Sequence, residues 1–181
     1  RWFSKHNSHK GVKDGRKLYE EIRGVITGSN AEVGYLSESQ YLGLGIKESI
    51  YPVELRGLVY QLFQKYLSYM SLEGFYDSNI LSTDYMPKVD KSYDAIVVDE
   101  VQDFTNSQLS LVLSSLLTAG NFLLCGDANQ IVHPNFFSWS KLKSYFYSQN
   151  DMSTHQITRI LTKNYRNAPE VTELANRVLK L

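Results

Sequence analysis

This 181-residue sequence is poor in cysteine and proline, with one Cys and four Pro, and has no excess of either sign of charge, with 19 Lys and Arg against 19 Asp and Glu. A single cysteine excludes a disulfide framework and multi-cysteine zinc sites, and we interpret Cys125, within an apolar run, as a small buried hydrophobe. The charge balance excludes a generally basic nucleic-acid binder but leaves a local basic groove open. No apolar run approaches the ~18 residues of a membrane span, and no signal peptide is visible. We therefore expect an intracellular protein, in the cytoplasm or nucleus.

A hydrophobic content of 43% with 21% charged residues predicts one domain, or one domain with a small satellite. Before residue 89, apolar residues recur at helical spacing and predict helices over 15–26 and 53–72. Between these segments, Ser37 and Gln40 form a capping-box pattern that opens a short helix. We interpret the aromatic stripes on these helices as core packing.

The pattern changes to that of an α/β sheet after residue 90. Segment 93–98 ends in a β-branched run typical of a strand buried on both faces, and segment 122–125 predicts a second strand. Thr105 and Gln108 form a capping-box pattern that opens a helix between the strands. This order predicts a βαβ unit with a parallel sheet and a right-handed crossover. Two further elements are predicted downstream, a strand at 156–162 and a helix capped by Asn167.

Acidic residues follow both predicted strands. Asp99 and Glu100 come directly after the first strand, and Asp127 follows the second. Ligands of open parallel sheets bind outside the carboxyl ends of the strands, and Mg²⁺ is held by one or two carboxylates together with substrate phosphates. These positions predict a cation site with Asp99 as a ligand and Glu100 placed to orient or deprotonate a water. The alternative is that the acids cap the next helix or face solvent.

Three segments in order resemble motifs of superfamily 1 helicases of the UvrD/Rep type. Asp99-Glu100-Val101-Gln102-Asp103 resembles the Walker B element, motif II. Gly126-Asp127-Ala128-Asn129-Gln130 resembles motif III, and Leu161-Thr162-Lys163-Asn164-Tyr165-Arg166-Asn167 resembles motif IV. The order and spacing match across residues 93–181. Segments 20–26 and 41–45 are similar to the helical region just before motif II in a subgroup of these proteins.

The resemblance implies a fold and a division into domains. The fold class is α/β, an incomplete parallel-sheet P-loop NTPase motor core (RecA-like) with a preceding helical subdomain. Residues 1–88 would form the helical subdomain, and residues 89–163 the α/β motor core segment with motifs II and III. Residues 164–181 would hold motif IV and the first helix toward the second motor domain.

The resemblance also implies a role for individual residues, with ATP and Mg²⁺ as cofactors. Asp99 and Glu100 would hold Mg²⁺, and Glu100 would activate the hydrolytic water. Gln130 would contact the γ-phosphate, and Arg166 would act as an arginine finger. The remaining nucleotide-site residues would stack on the adenine (Tyr165) or support the polar network (Gln102, Asp103, Asp127). Standing alone, Arg166 would be interpreted as a surface or ion-paired arginine and Tyr165 as a core aromatic.

The aromatic residues after motif III are candidates for nucleic-acid contact. In the family, aromatic side chains of this neighbourhood stack on the bases of a single strand. Any base can take part, because each has a π-face. The sequence departs from the commoner family pattern after Gln130, so Phe136 and Trp139 stay open between base stacking and core packing. The partner implied is single-stranded DNA, or RNA.

One family element is missing from the sequence, because no Gly-Lys pair of a G-x-x-x-x-G-K-[ST] phosphate loop occurs in it. The chain also opens at Arg1 rather than Met. We therefore expect a fragment of an ATP-dependent helicase, with the remaining helicase domains in cis and the isolated chain inactive. Two alternatives stay open, a non-catalytic helicase-like interaction module and a metal-dependent nuclease. The nuclease would use a carboxylate cluster of Asp99, Glu100, Asp103 and Asp127.

Overall fold

Helices predominate in the computed structural model, which describes residues 2–7, 11–29, 34–127 and 166–178. The chain divides into two units, Arg1–Asn150 and Asp151–Leu181. The described elements of the first unit are α1 (Trp2–His6), α2 (Gly15–Glu21), a π-helical turn (Ile22–Ile26), α3 (Glu38–Leu42), α4 (Val53–Glu73), α5 (Ser78–Tyr85), a 3₁₀ turn (Met86–Lys88), β1 (Ile96–Val98), a second 3₁₀ turn (Val101–Asp103), α6 (Asn106–Ser114) and β2 (Phe122–Leu124). The second unit contains α7 (Pro169–Val178). The predicted strand at 156–162 lies outside the described residues, and the predicted boundaries at residues 88 and 163 stay predictions.

Asp14 is the N-cap of helix α2, and its side chain accepts the backbone N–H groups of Arg16 at 2.8 Å and Lys17 at 3.2 Å. The helix then widens into the π-helical turn, where the Thr27 N–H donates to the Ile22 carbonyl at 2.8 Å, five residues back. The predicted helix over 15–26 is confirmed in extent. Its wider last turn was not predicted, and such turns occur often at functional sites.

The other two predicted helices of the first half are also confirmed. Ser37 and Gln40 form both hydrogen bonds of a capping box at the start of α3. Helix α4 runs from Pro52 as N-cap to Gly74, whose φ of 68° gives the left-handed C-cap that glycine adopts without strain. Of the helices in the described residues, none is long and apolar enough to cross a membrane.

The main hydrophobic core lies among these helices, and the aromatic residues of α4 pack in it as predicted. Its buried members are Val12, Leu18, Ile22, Val25, Ile26, Tyr41, Tyr51, Val59, Tyr60, Leu62 and Phe63. Tyr60 and Phe63 pack with their ring centroids 5.5 Å apart. The main core therefore lies within the part of the chain that precedes the sheet.

Two charged side chains are fully buried beside this core and are satisfied by hydrogen bonds. Glu21 accepts the Tyr41 hydroxyl at 2.8 Å and the Ile50 N–H at 3.0 Å, and it also accepts the Ser49 hydroxyl. Burial and this carboxylate raise the pKa of Tyr41. Arg56 donates to four backbone carbonyls, those of Leu42, Leu44, Gly45 and Tyr51. Both charges are therefore part of the packing of α2, α3 and α4.

Strands β1 and β2 pair in parallel, with Ile96 opposite Phe122 and Val98 opposite Leu124. Helix α6 lies between them in sequence and begins with the predicted capping box of Thr105 and Gln108. The βαβ order and the parallel pairing are thus confirmed, while the handedness of the crossover stays a prediction.

Two predictions about burial in the sheet are wrong. Val97 and Leu123 expose 69% and 57% of their surface, so β1 is not buried on both faces. Cys125 is exposed rather than buried. Successive side chains of a strand point to opposite faces, and an apolar run does not distinguish a strand covered on one face from a strand covered on both.

Helix α7 begins two residues after the predicted cap. Pro169 is its first residue, and the Ala168 carbonyl accepts the Thr172 N–H at 3.1 Å. The predicted cap at Asn167 therefore lies one residue too early. Proline suits the first helical position, where its missing N–H is not needed.

The buried side chain of Asn79, in α5, connects the helical segment (the helices and turns that precede β1) with the sheet segment (β1, α6 and β2). Its Nδ2 donates to the Arg23 carbonyl at 2.8 Å and to the Thr27 hydroxyl at 2.9 Å. Its Oδ1 accepts the hydroxyl of Thr105, the N-cap of α6, at 2.7 Å. The Ser107 hydroxyl adds a second link by donating to the Thr27 carbonyl at 3.0 Å. One carboxamide thus joins the π-helical turn, α5 and the start of α6.

We expect Asn79→Ala to lower the free energy of unfolding by about 2–4 kcal/mol, because it leaves several buried polar groups without partners. The measurement is urea denaturation of the chain followed by circular dichroism. Gln64→Ala is the control, since Gln64 is exposed on α4 and its loss should change stability by less than about 0.5 kcal/mol. A loss below about 1 kcal/mol in Asn79→Ala would contradict the role given to this side chain.

Candidate active site

The acidic turn, residues Asp99 to Asp103, leaves the carboxyl end of β1 and leads into α6. Asp99 and Glu100 are both exposed there. Asp99 Oδ1 accepts the Glu100 N–H at 2.9 Å. The 3₁₀ turn follows at once, and its Asp103 N–H donates to the Glu100 carbonyl at 2.9 Å. The turn therefore presents two adjacent carboxylates to solvent at the edge of the sheet.

Glu100 has a left-handed backbone, with φ 50° and ψ 43°. Among the residues that the structure describes, it alone combines a side chain with a positive φ. This conformation costs a non-glycine residue about 1–3 kcal/mol and persists only where the surroundings impose it. Here the Val101 N–H donates to the Cys125 carbonyl at 2.9 Å and holds the next residue against β2. Strain of this kind clusters at functional sites.

Gln102 links the acidic turn to the segment after β2. Its side chain is largely buried, with 8% of the residue exposed. Its Nε2 donates to Glu100 Oε2 at 2.6 Å, and its Oε1 accepts the Asp127 backbone N–H at 3.2 Å. The two segments that follow the strands are thus joined through one neutral amide.

Gly126 provides the space that this link requires. A Cβ at Gly126 would lie 2.5 Å from Gln102 Oε1 and 2.8 Å from a methyl group of Val101. The chain is also fixed just before this residue, because the Cys125 N–H donates to the Val98 carbonyl at 2.8 Å. Any side chain at position 126 would displace the Gln102 amide.

The structure brings four predicted site residues to one edge of the sheet: Asp99, Glu100, Gln102 and Asp127. Asp103, at the far end of the 3₁₀ turn, is exposed, and its carbonyl accepts Arg23 Nη2 at 3.4 Å. Arg166 is exposed in the second unit. The other predicted site residues, Gln130, Phe136, Trp139 and Tyr165, lie outside the described residues.

The carboxylate cluster of the nuclease alternative does not form. All four of its acids lie in the described part of the chain, where no group of three or more His, Cys, Asp or Glu side chains could hold a metal ion. The 3₁₀ turn places Asp103 toward the helical segment, where its backbone meets Arg23. Asp99 and Glu100 fit Mg²⁺ chemistry without a third acid. They are adjacent, exposed carboxyl side chains, and this ion needs only one or two carboxylates beside phosphate oxygens.

Three features of the site were not found from the sequence. The strained backbone of Glu100 and the Asn79 link depend on contacts between distant segments and have no local signature. The steric role of Gly126 had a weak signal, a glycine directly after a predicted strand, which often marks a close approach of other atoms.

Comparison with known proteins decides the family. The UvrD/REP helicase N-terminal domain matches residues 17–153, which include most of the helical segment, the acidic turn and Gly126-Asp127. The chain belongs to this family. The UvrD/Rep resemblance of the sequence is thereby confirmed, and the family implies a helicase domain of the P-loop NTPase type.

Two relatives that the chain matches are much longer proteins. The human "TPR and ankyrin repeat-containing protein 1" is 28% identical over 183 residues, covering 91% of this chain and 6% of that protein. The "Probable DNA helicase II homolog" of Mycoplasma capricolum is 24% identical over 131 residues, covering 68% of this chain and 18% of that protein. No solved structure matches the UvrD/REP chain significantly.

We expect Gly126→Ala to destabilise the UvrD/REP domain by about 1–3 kcal/mol, because the added Cβ overlaps the Gln102 amide. Gly57→Ala is the matched control. Gly57 lies inside α4, and an added Cβ there would meet no neighbouring atom within 4 Å, so alanine should stabilise the domain by about 0.5–1 kcal/mol. Thermal unfolding of both variants gives the comparison. Equal effects of the two substitutions would show that the space at Gly126 is not needed.

Proposed function

We propose that this chain is part of the first motor domain of an ATP-dependent superfamily 1 helicase or translocase. The protein would couple ATP hydrolysis to movement on single-stranded DNA or RNA. The observation that carries the proposal is the pairing, through Gln102, of the exposed Asp99–Glu100 carboxylates with the Gly126-Asp127 segment. Family membership and the name of the Mycoplasma relative support it.

In this proposal the acidic turn serves the γ-phosphate end of ATP. Asp99 and Glu100 would hold Mg²⁺, which supplies positive charge to the phosphate oxygens when bound. The Glu100 carboxylate would accept a hydrogen bond from the attacking water and orient it. The left-handed backbone of Glu100 and the amide of Gln102 support this role, since both restrict where the carboxylate lies.

The remaining parts of the nucleotide site are assigned to other segments. We propose that Gln130 senses the γ-phosphate, that Tyr165 stacks on the adenine and that Arg166 stabilises the charge of the transferred phosphoryl group. Phe136 and Trp139 are proposed to contact nucleic acid. The phosphate-binding loop and the second motor domain would come in cis from a longer protein, since the curated relatives that the chain matches are many times its length.

A non-catalytic interaction module is the second candidate. The absence of a Gly-Lys pair from this sequence favours it, as does the match to a protein named for its TPR and ankyrin repeats. The two candidates differ in a measurable way. A motor requires Glu100 and Arg166 for nucleotide turnover. A non-catalytic module has no turnover for their replacement to lower.

We expect Glu100→Gln to slow ATP hydrolysis by ~10²-fold or more, because the amide keeps the size of the carboxylate but cannot act as a base. The measurement is phosphate release by a longer protein that carries this chain and a phosphate-binding loop, with ATP binding measured alongside. ATP affinity should be largely retained. The control is Glu54→Gln, at an exposed position in the first turn of α4. Turnover within a few-fold of the unmodified protein would refute the role of Glu100.

Arg166 gives an independent test in the same longer protein. Arg166→Ala should slow hydrolysis by ~10³-fold or more, and Arg166→Lys should restore little, because an ammonium group cannot reproduce the planar guanidinium fork. ADP affinity should barely change, since ADP lacks the γ-phosphate. Arg177→Ala, which removes an exposed arginine of α7, is the control. Equal weakening of ADP and ATP binding would place Arg166 elsewhere in the site, and unchanged turnover would remove it from the motor.

A further inference from the structure

The side chain of Gln102 is unusual among the polar groups of the site because it is largely buried while both of its functional atoms contact chemistry-bearing segments. Only 8% of the residue is exposed. Its Nε2 lies 2.6 Å from the exposed carboxylate of Glu100, and its Oε1 lies 3.2 Å from the backbone nitrogen of Asp127.

We propose that Gln102 is a positioning residue that holds the Glu100 carboxylate in one orientation and couples that orientation to the Gly126-Asp127 segment. The inference rests on the proposed function, since it assigns Glu100 a water to orient. Gln102 would act through Glu100, to which it donates a hydrogen bond.

The chemistry of the amide suits this role. A carboxamide donates and accepts at once, so it can bind a carboxylate on one side and a backbone N–H on the other. A hydrogen bond to an ionised acceptor is shorter and stronger than one between neutral groups, which agrees with the 2.6 Å separation from Glu100. Gln102 carries no charge of its own, so it orients the carboxylate without forming an ion pair with it.

The packing around the amide limits its alternatives. A side chain at Gly126 would meet Gln102 Oε1 at 2.5 Å, so position 126 approaches this amide closely. The neighbouring residue, Val101, is fully buried and bonded through its N–H to the Cys125 carbonyl. A displacement of the Gly126-Asp127 segment would therefore move the Gln102 amide and, through it, the carboxylate of Glu100.

Two variants separate the two hydrogen bonds of Gln102. Gln102→Met has a similar length and loses both hydrogen bonds. Gln102→Glu keeps an acceptor for the Asp127 N–H but cannot donate to Glu100. The control for both is the same substitution at Gln64, which is exposed on α4.

The first measurement uses the chain itself and is independent of catalysis. Hydrogen exchange by NMR should show the Asp127 amide exchanging about tenfold faster or more in Gln102→Met, and near the unmodified rate in Gln102→Glu. The side-chain NH₂ signal of Gln102 should shift when Glu100 is replaced by Gln. Unchanged Asp127 exchange in Gln102→Met, with circular dichroism showing a folded chain, would overturn the coupling.

The second measurement uses the longer protein proposed above. Both Gln102 variants should lower kcat for ATP hydrolysis by about 10- to 100-fold with KM for ATP nearly unchanged, because a misplaced water-orienting group slows chemistry and leaves binding intact. Combined with Glu100→Gln, they should cause little further loss. A rise in KM at unchanged kcat would overturn the proposal. If Glu100→Gln alone leaves turnover intact, the proposed function fails, whereas the exchange result on the chain still reports on the link itself.

Discussion

The placement of the acidic turn depends on the carboxamide of Asn79. This side chain is fully buried and bonds the π-helical turn on one side and the N-cap of α6 on the other. Thr105, which it contacts, lies two residues after Asp103, so the end of the acidic turn is tied to the helical segment. The Arg23 side chain makes a further contact with the Asp103 carbonyl at 3.4 Å.

The other end of the acidic turn is held by the sheet. The Val101 N–H donates to the Cys125 carbonyl and the Cys125 N–H to the Val98 carbonyl, at the carboxyl ends of the two strands, and the Gln102 side chain accepts the Asp127 N–H. With both ends fixed, the chain can keep Glu100 in a left-handed conformation that would otherwise relax. The strained residue carries the carboxylate to which we assign the water-orienting role. In the proposed function, the residue with the strained backbone is therefore the one whose carboxylate would orient the attacking water.

The helical segment and the sheet segment differ in how completely they are packed. The helices enclose a continuous aromatic and aliphatic core and two buried charges that are satisfied by hydrogen bonds. The sheet has two described strands and leaves Val97 and Leu123 on an open face. The side-chain links through Asn79 and Ser107 hold the sheet segment against the helices.

Local patterns in the sequence determined the start of the helices and the order of elements around the acids. The capping boxes at Ser37 and Thr105 act within four residues, and the βαβ order follows from the alternation of apolar runs, so both could be predicted. The acids after β1 and β2 could be placed at one sheet edge for the same reason. Sequence alone did not determine the exposure of Val97 and Cys125, because burial depends on which segments cover a face. It also did not determine the left-handed Glu100 or the bonds of Asn79 and Gln102. Those arise where segments up to 56 residues apart meet, and only the tertiary structure decides which buried polar group finds which partner.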